Sequence, residues 1–274
     1  MPQNLIDIND KVILVTGACG LIGREISRSF LENGAKTVLA DANEQGNAAL
    51  ETELESRFPA EQFLVIHLDI TDAESIEKGL AVIMQKFGRI DVLINNAAID
   101  AKFDKSHTET FNASRFENYP IELLRKSTDV NLIGTVQITQ AVCRQMLLQK
   151  SGNIINVAST YSLVAPNQSL YDFGENEIKY KPVDYIATKS FVPNFTRYIA
   201  TFYARDGIRC NAIVPHGIFN DHDEKFIANF KKHSPLGRMC DRSELNGPLT
   251  FLASNASSYM TGSLLVVDGG WTAW

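Results

Sequence analysis

Short runs of apolar residues, many of them β-branched, recur along the chain between longer segments of mixed polarity. The runs occupy positions 12–15, 37–40, 63–66, 92–94, 154–157, 208–214 and 264–267. A short apolar run without alternating polar positions is typical of a strand that is buried on both faces. The pattern therefore predicts about seven strands in the interior of a sheet.

Apolar positions at helical spacing follow or separate these runs. Such segments are 24–31, 44–58, 73–87, 120–149, 185–204 and 223–232. Asn33-Gly34 and Gly88 mark the ends of two of them. Alternating strands and helices predict right-handed βαβ units, and hence an α/β, Rossmann-type doubly wound parallel sheet with helices on both faces, forming one domain over 1–274. Ligands of such sheets bind beyond the carboxyl ends of the strands.

Composition excludes several classes of partner. The 274 residues include 45% apolar side chains, enough for a large core, and 32 acidic against 26 basic residues give a net charge of -6. With no basic run, we expect no nucleic-acid partner. No apolar run approaches the roughly 20 residues needed to span a bilayer, and the first ten residues are too polar for a signal peptide. We expect a cytoplasmic protein without a membrane partner.

Cysteine and histidine positions indicate neither disulfides nor a metal site. Cys19, Cys143, Cys210 and Cys240 are scattered and form no Cys-x-x-Cys pair. This spacing favours reduced, mostly buried thiols. The five histidines also lack the spacing of metal ligands, so no metal is predicted.

A glycine-rich turn follows the first apolar run and leads into a helix. It reads Thr16-Gly-Ala-Cys-Gly-Leu-Ile-Gly23. Glycines let backbone amides and a helix N-terminus approach a pyrophosphate, although a purely structural turn has the same letters. Asp41, at the end of the second run, favours the dinucleotide site because its carboxylate can accept both adenosine ribose hydroxyls.

The same aspartate favours NAD(H) over NADP(H), because it would repel a 2′-phosphate. Ala42 and Asn43 follow it, where an Arg or Lys would suit NADP(H). Arg24 could still reach this region, so NADP(H) remains the less favoured alternative.

Tyr185 and Lys189 lie four residues apart within a helical segment and therefore share one face. A free tyrosine has a pKa of about 10, and a nearby cation favours its phenolate. Such a pair can also arise by chance on a solvated helix edge. Three other tyrosines follow Ser159, but none has a lysine four residues on: Tyr161, Tyr171 and Tyr180.

From about residue 11 to 270 the chain resembles the short-chain dehydrogenase/reductase family. The resemblance is carried by the glycine turn, Asp69, Asn95-Asn-Ala-Ala98, Asn131, Ser159, Tyr185 with Lys189, Pro215-His-Gly-Ile218 and Val267-Asp-Gly-Gly270. It implies an NAD(H)-dependent oxidoreductase that interconverts a secondary alcohol and a ketone of a small molecule by hydride transfer. It also implies a homodimer or homotetramer built on the helices of 120–149 and 185–204.

The resemblance assigns a catalytic set and a cofactor set. Tyr185 would donate or accept the proton, Lys189 would lower its pKa, and Ser159 would steady the substrate oxygen. Asn131 would hold a proton-relay water, unless it only braces a helix kink. The cofactor residues would be Gly17, Gly20, Leu21, Ile22, Gly23, Asp41, Asp69, Ile70, Asn95, Ala97, Tyr185, Lys189, Pro215, Gly217 and Ile218. Residues 95–97 would also help hold the central strands together. Asp69 could equally cap the helix near Asp72.

Two features depart from the usual pattern of the family. The glycine spacing, with Leu21 at the place of a middle glycine, is commoner in the extended branch that acts on nucleotide sugars; chain length and the Tyr185 segment agree with the shorter branch. Ser159 and Tyr185 are 26 positions apart, about twice the usual separation. The insert at 167–182 is either a longer surface loop or one wall of a pocket for a polyhydroxylated substrate. Residues 216–240 would form the other wall, with His216 bonding a substrate hydroxyl or only packing.

Within the family, the insert and Ile22-Gly-Arg-Glu25 resemble oxidoreductases associated with flagellin and surface-sugar modification. Two other functions stay open. One is an NAD-retaining epimerase or dehydratase of a sugar nucleotide, and the other is a non-catalytic NAD-binding regulatory module. Trp271 and Trp274 would lie at a subunit contact or over a neighbouring pocket.

Overall fold

The computed structural model describes residues 5–100, 114–173 and 180–274 of the chain. Seven strands of this part form one parallel sheet. They are β1 (Val12–Thr16), β2 (Lys36–Asp41), β3 (Phe63–His67), β4 (Val92–Asn95), β5 (Gly152–Val157), β6 (Ile208–Pro215) and β7 (Leu264–Val267). Their spatial order is β3-β2-β1-β4-β5-β6-β7, which confirms the expected doubly wound Rossmann-type sheet.

Helices pack on both faces of this sheet. They are α1 (Leu21–Glu32), α2 (Glu44–Glu55), α3 (Ala73–Phe87), α4 (Ile121–Thr128), α5 (Thr135–Gln149), α6 (Val183–Ser190), α7 (Val192–Tyr203), α8 (Glu224–His233) and α9 (Asn246–Ala253). Short 3₁₀ helices occupy Phe116–Asn118, Thr160–Ser162, Gln168–Tyr171, Ala204–Asp206, Arg242–Leu245 and Asn255–Ser257. Within the described ranges, no helix has both the length and the hydropathy to cross a membrane.

Several helix boundaries differ from the expected ones for local reasons. The α1 helix begins at Leu21, earlier than expected, because the extended Gly20 serves as its N-cap. The segment 120–149 is not one helix, since a π-helical turn at Asp129–Gly134 separates α4 from α5. The segment 185–204 is divided at Phe191, and Pro193 lies in the first turn of α7, where a missing backbone N–H costs no hydrogen bond.

Alternate residues of β1 enter two separate cores. Ile13 and Val15 pack on the face covered by α1, α2 and α9, and Val12 and Leu14 pack on the face covered by α3, α5 and α7. All four side chains are at most 1% exposed. Because both faces are covered, the ends of the strands are where polar groups can meet a ligand.

Buried amide side chains link the central strands to the helices behind them. The Asn95 Nδ2 atom donates to Thr139 Oγ1 on α5 and to Asn156 Oδ1 on β5, at 2.8 Å each. Asn156 Nδ2 in turn donates to Thr196 Oγ1 on α7 at 2.9 Å. Asn95 is 7% exposed, and its amide therefore points into the protein, where it stabilises the sheet.

We predict that Asn95→Ala lowers the free energy of unfolding by about 1–3 kcal/mol, because it removes both bonds and leaves Asn156 Oδ1 without its donor. Urea unfolding measures the change. The control, Asn194→Ala, alters an exposed amide on α7 and should change stability by less than about 0.5 kcal/mol. Equal effects of the two substitutions would contradict a bracing role for Asn95.

Candidate active site

A cleft of about 820 Å³ opens at the carboxyl ends of β1 to β6. It extends from the glycine turn after β1 to Tyr185 on α6, so it brings together residues that are far apart in sequence. The predicted cofactor and catalytic residues that line it are Gly17, Gly20, Leu21, Ile22, Asp41, Asp69, Ile70, Ala97, Ser159, Tyr185, Lys189, Pro215, Gly217 and Ile218. Gly23, Asn95 and Asn131 lie outside its lining.

The glycine turn is packed so closely that Gly17 and Gly23 have no room for a side chain. Gly17 has φ +66°, and a Cβ there would lie 2.7 Å from the Cα of Ala97. A Cβ on Gly23 would lie 2.2 Å from the carbonyl oxygen of Gly17. Gly23 therefore lets α1 approach the turn, although it does not itself face the cleft. With no side chain at Gly20 to cap α1, the first amides of the helix are available to an anionic ligand.

Asp41, at the end of β2, is held against the glycine turn. Its Oδ2 accepts from the backbone N–H of Cys19 and its Oδ1 from that of Asn43, both at 2.9 Å. Each carboxylate oxygen keeps a second lone pair, so the group can still accept two ribose hydroxyls. Arg24 is engaged in an ion pair with Glu53. The open turn and this carboxylate together fit a dinucleotide.

Asp69 and Ile70 follow β3 and line the cleft beside this half of the site. The Oδ1 of Asp69 accepts from the backbone N–H and the hydroxyl of Thr71, at 2.8 and 2.7 Å. The α3 helix is capped by Asp72, whose side chain accepts from the backbone N–H of Glu74. The capping alternative for Asp69 is therefore wrong.

The loop after β4 presents Asn96 and Ala97 to the cleft, while the Asn95 side chain is turned away from it. Asn96 Nδ2 donates to the carbonyl oxygens of Thr16 and Gly17, at 2.9 and 3.1 Å, and so ties this loop to the glycine turn. The Asn95 amide is bonded inside the sheet, which agrees with its expected role in holding the central strands, and its contact with a cofactor stays a prediction.

The segment after β6 forms the opposite wall. Pro215, Gly217 and Ile218 line the cleft, and Gly217 has φ +55° with no room for a Cβ beside the ring of Phe230. The amide of Cys240 donates to the carbonyl of Gly217 at 2.9 Å. The loop is thus held to the segment that follows α8.

His216 is packed into this wall. Its Nδ1 is bonded to the hydroxyl of Thr160, and its ring lies 4.3 Å from the ring of Trp271 and 5.2 Å from that of Phe230, measured between centroids. Burial lowers the pKa of His216 to about 4, so the ring is neutral at physiological pH. Trp271 therefore packs beside the cleft of its own chain, whereas Trp274 is 84% exposed.

Ser159, Tyr185 and Lys189 meet at the end of the cleft away from Asp41. Ser159 follows β5, and its Oγ accepts from the N–H of Tyr161 at 3.2 Å, which orients the loop. Burial raises the pKa of Tyr185, while a hydrogen bond with Ser159 acts in the opposite direction. The phenol is therefore protonated at neutral pH and placed to donate its proton.

The net shift in the pKa of Tyr185 is upward, because burial disfavours the phenolate and the negative charge of Asp100 acts in the same direction. That Lys189 opposes this shift stays a prediction. The Lys189 Nζ donates to the carbonyl oxygen of Val157 at 2.8 Å and lies 6.0 Å from the centroid of the Tyr185 ring. Burial also lowers the pKa of Lys189 itself to about 8, and the negative charge of Asp100 opposes that shift.

Asn131 lies in the π-helical turn and braces two elements of the site. Its Oδ1 accepts from the N–H of Ile99 at 2.8 Å, and its Nδ2 donates to the Ile99 carbonyl at 2.9 Å and to Thr188 Oγ1 at 3.0 Å. These bonds connect the loop after β4 to α6, one residue from Lys189. The geometry supports the bracing alternative for this residue; π-helical turns are frequent at functional sites.

Some residues that shape the site were not recognised from the sequence. Ser127 Oγ on α4 donates to the buried Asp184 Oδ2 at 2.6 Å, which fixes the residue before Tyr185. Asp100 also lines the cleft. Nothing in the local sequence distinguishes these residues, since their role depends on chain crossings. Tyr171 and Lys181 of the predicted insert line the cleft as well, which supports the pocket-wall alternative for the described part of the insert. Residues 174–179 of the predicted insert lie outside the described residues.

The described part of the chain contains no cluster of three or more His, Cys, Asp or Glu side chains suited to a metal ion. The polar groups of the cleft are amides, hydroxyls, lysines, two imidazoles and separate carboxylates. This set is suited to a cofactor that brings its own chemistry.

Comparison with known proteins agrees with this geometry. Residues 17–272 match the family model described as enoyl-(acyl carrier protein) reductase. The chain is 31% identical over 264 residues to the post-translational flagellin modification protein A of Campylobacter coli, covering 96% of this chain and 99% of that protein. It is 32% identical over 271 residues to the NAD-dependent glycerol dehydrogenase of Listeria innocua, covering 97% and 95%.

A solved structure shows the same fold along the whole chain. The gluconate 5-dehydrogenase of Burkholderia cenocepacia, crystallised with NADP and tartrate, superimposes with a TM-score of 0.83 at 27% identity, covering 99% of this chain and 98% of that one. The fold and site define an oxidoreductase that binds a nicotinamide dinucleotide and acts on CH–OH groups. The chain belongs to the short-chain dehydrogenase/reductase family.

We predict that Gly23→Ala abolishes dinucleotide binding and destabilises the protein, because the new Cβ would overlap the carbonyl oxygen of Gly17. Fluorescence titration with NADH and NADPH measures the binding. The control is Gly247→Ala on α9, where an added Cβ meets no atom within 4 Å and binding should be unchanged. A Gly23→Ala protein with native affinity would contradict the tight packing of the turn.

Proposed function

We propose that the protein is an NAD(H)-dependent oxidoreductase that interconverts a secondary alcohol and a ketone on a sugar, polyol or related polyhydroxylated molecule. One observation supports this most directly. Ser159, Tyr185 and Lys189 converge at one end of a cleft whose other end carries the open glycine turn and Asp41. The cleft thus combines a dinucleotide site with a proton-transfer site.

Each residue at the catalytic end of the cleft has a separate role in the transfer of one proton. Bound nicotinamide supplies the hydride chemistry. In ketone reduction the Tyr185 phenol donates its proton to the substrate oxygen, and in alcohol oxidation the phenolate takes it back. The Ser159 hydroxyl stabilises negative charge on the same oxygen, and the Lys189 ammonium stabilises the phenolate. Asn131 positions the loop and helix that carry these groups.

The preference for NAD(H) rests on the charges around Asp41. Its carboxylate faces the glycine turn and would repel a 2′-phosphate, and the ion pair with Glu53 keeps Arg24 from neutralising it. The Listeria relative is NAD-dependent, whereas the Burkholderia neighbour was crystallised with NADP, so the fold accommodates either cofactor. Local charge selects between them.

The substrate class follows from the groups beside Tyr185. Tyr161, Tyr171, Asn220 and His222 line this end of the cleft and supply several hydrogen-bond donors and acceptors next to aromatic faces. Such a surface suits a molecule with many hydroxyl groups. The glycerol and gluconate dehydrogenases among the relatives act on substrates of this type.

We further propose that the protein is a homodimer or homotetramer. Large apolar side chains remain exposed on the helices expected to form the contact, including Leu148 on α5 at 80% and Phe202 on α7 at 59%. Burying such side chains is favourable by roughly 1.5–3 kcal/mol each. Sedimentation equilibrium at micromolar concentration tests the assembly, and a monomer there would refute it.

The activity is tested with sugars, polyols, hydroxy acids and simple secondary alcohols, each supplied with NAD or NADP, by the absorbance of the reduced cofactor. We expect turnover of a polyhydroxylated class with NAD, and weaker turnover with NADP. Binding of NADH without turnover of any compound would contradict the proposal, and preference for NADP would contradict the role of Asp41.

We predict that Tyr185→Phe lowers turnover by about 10²–10⁴-fold while NADH affinity changes little, since the phenol acts mainly in the transition state. Steady-state kinetics and NADH titration separate the two effects. Tyr259→Phe serves as control because Tyr259 is fully exposed and absent from the cleft. A Tyr185→Phe protein that keeps most of its turnover would refute the assigned role.

A further inference from the structure

A second lysine approaches the Tyr185 ring from the inserted segment. Lys181 lies two residues before the start of α6 and lines the cleft, and its side chain is only 12% exposed. Its Nζ is 4.1 Å from the centroid of the Tyr185 ring, whereas the Nζ of Lys189 is 6.0 Å away. The family lysine is therefore the more distant of these two cations.

Lys181 is paired with Asp100 from the loop after β4. The Nζ of Lys181 lies 2.5 Å from Asp100 Oδ2. The backbone N–H of Lys181 also donates to Gln168 Oε1 at 2.9 Å. On the other side, Ile99, next to Asp100, is bonded through both its N–H and its carbonyl to Asn131. Both halves of the ion pair are thus held by neighbouring structure.

The two charges act on the Tyr185 proton in opposite directions. A cation above an aromatic face is attracted to the ring and favours the phenolate, while a nearby carboxylate disfavours it. After burial, the negative charge of Asp100 is the next cause that raises the pKa of Tyr185. It raises the pKa of Lys189 as well. Through this ion pair, the inserted segment that carries Lys181 influences the ionisation of Tyr185.

We propose that the Lys181–Asp100 ion pair positions the Tyr185 ring and regulates how readily its phenol gives up and takes back a proton. The proposal rests on the proposed acid-base role of Tyr185. Lys181 and Asp100 are positioning residues, because they act through Tyr185 and not on the reacting atoms.

Other groups near Tyr185 also influence its ionisation, in addition to the Lys181–Asp100 pair. They are Ser159, Tyr161 and Tyr171 from the segment after β5, and Lys189 on α6. Burial raises the pKa of both Tyr161 and Tyr171, so they are neutral at physiological pH. Lys181 and Lys189 favour the phenolate, and among the described residues Asp100 is the carboxylate that opposes them.

The pH dependence of the rate of alcohol oxidation tests this proposal. Activity in that direction requires deprotonated Tyr185, so the rate falls towards acidic pH, and this fall is the acidic limb of the profile. Asp100→Asn removes the negative charge and leaves the cation of Lys181 unopposed. The acidic limb should move to lower pH by about one unit or more. Lys181→Met leaves Asp100 unpaired and should move the limb to higher pH. Lys181→Arg keeps the cation and should stay close to the wild-type profile.

A purely structural pair would behave differently, since losing either partner would break the same contact and shift the profile in one common direction. Shifts of the same sign in Asp100→Asn and Lys181→Met would therefore overturn the proposal. The control is Lys78→Met, which breaks the exposed Lys78–Glu74 pair of 2.6 Å on α3 and should leave the profile unchanged.

A second measurement needs no substrate. The ultraviolet phenolate absorbance of each protein, minus that of the same protein carrying Tyr185→Phe, isolates the ionisation of Tyr185 during an alkaline titration. Asp100→Asn should ionise at lower pH than the wild type, and ionisation at the same or higher pH would overturn the proposal. Because this titration does not depend on turnover, its outcome is separate from a failure of the proposed function.

Discussion

Burial of a parallel sheet on both faces is the constraint on which the rest of this structure depends. Helices cover the two faces, and β1 and β4 are adjacent although they are not consecutive in the chain. Their following loops must therefore meet at one edge of the sheet. The approach of Gly17 to Ala97 is the result, and it makes the glycine turn both a packing necessity and a binding surface.

Much of this arrangement can be predicted from sequence, because its signals are local. The apolar runs specify the strands, and the glycine turn, Asp41, Ser159 and Tyr185 come directly after strands or within a helix pattern. Asn95 could not be resolved in the same way, since sequence does not show which side of a strand end an amide faces. The π-helical turn and the division at Phe191 depend on hydrogen bonding that apolar spacing does not report.

Electrostatic properties of the site were the least predictable. The spacing of Tyr185 and Lys189 indicates that a cation is near a phenol, but the net shift depends on how far both are removed from water. Burial decides the sign for both groups. Lys181 and Asp100 are 81 positions apart, and nothing local to either identifies the other as its partner. Only the crossing of two loops brings them together.

Because of the π-helical turn at Asp129–Gly134, the helical stretch from α4 to α5 cannot gain or lose a residue without changing its contacts. Such a turn contains one residue more than the α-helical turn it replaces, so deleting a residue there would restore regular spacing and rotate the preceding residues by about 100° relative to those that follow. Ser127 and Asn131, which reach α6 from this stretch, could not both keep their partners. An insertion or deletion in this stretch would therefore cost at least one of its hydrogen bonds to α6.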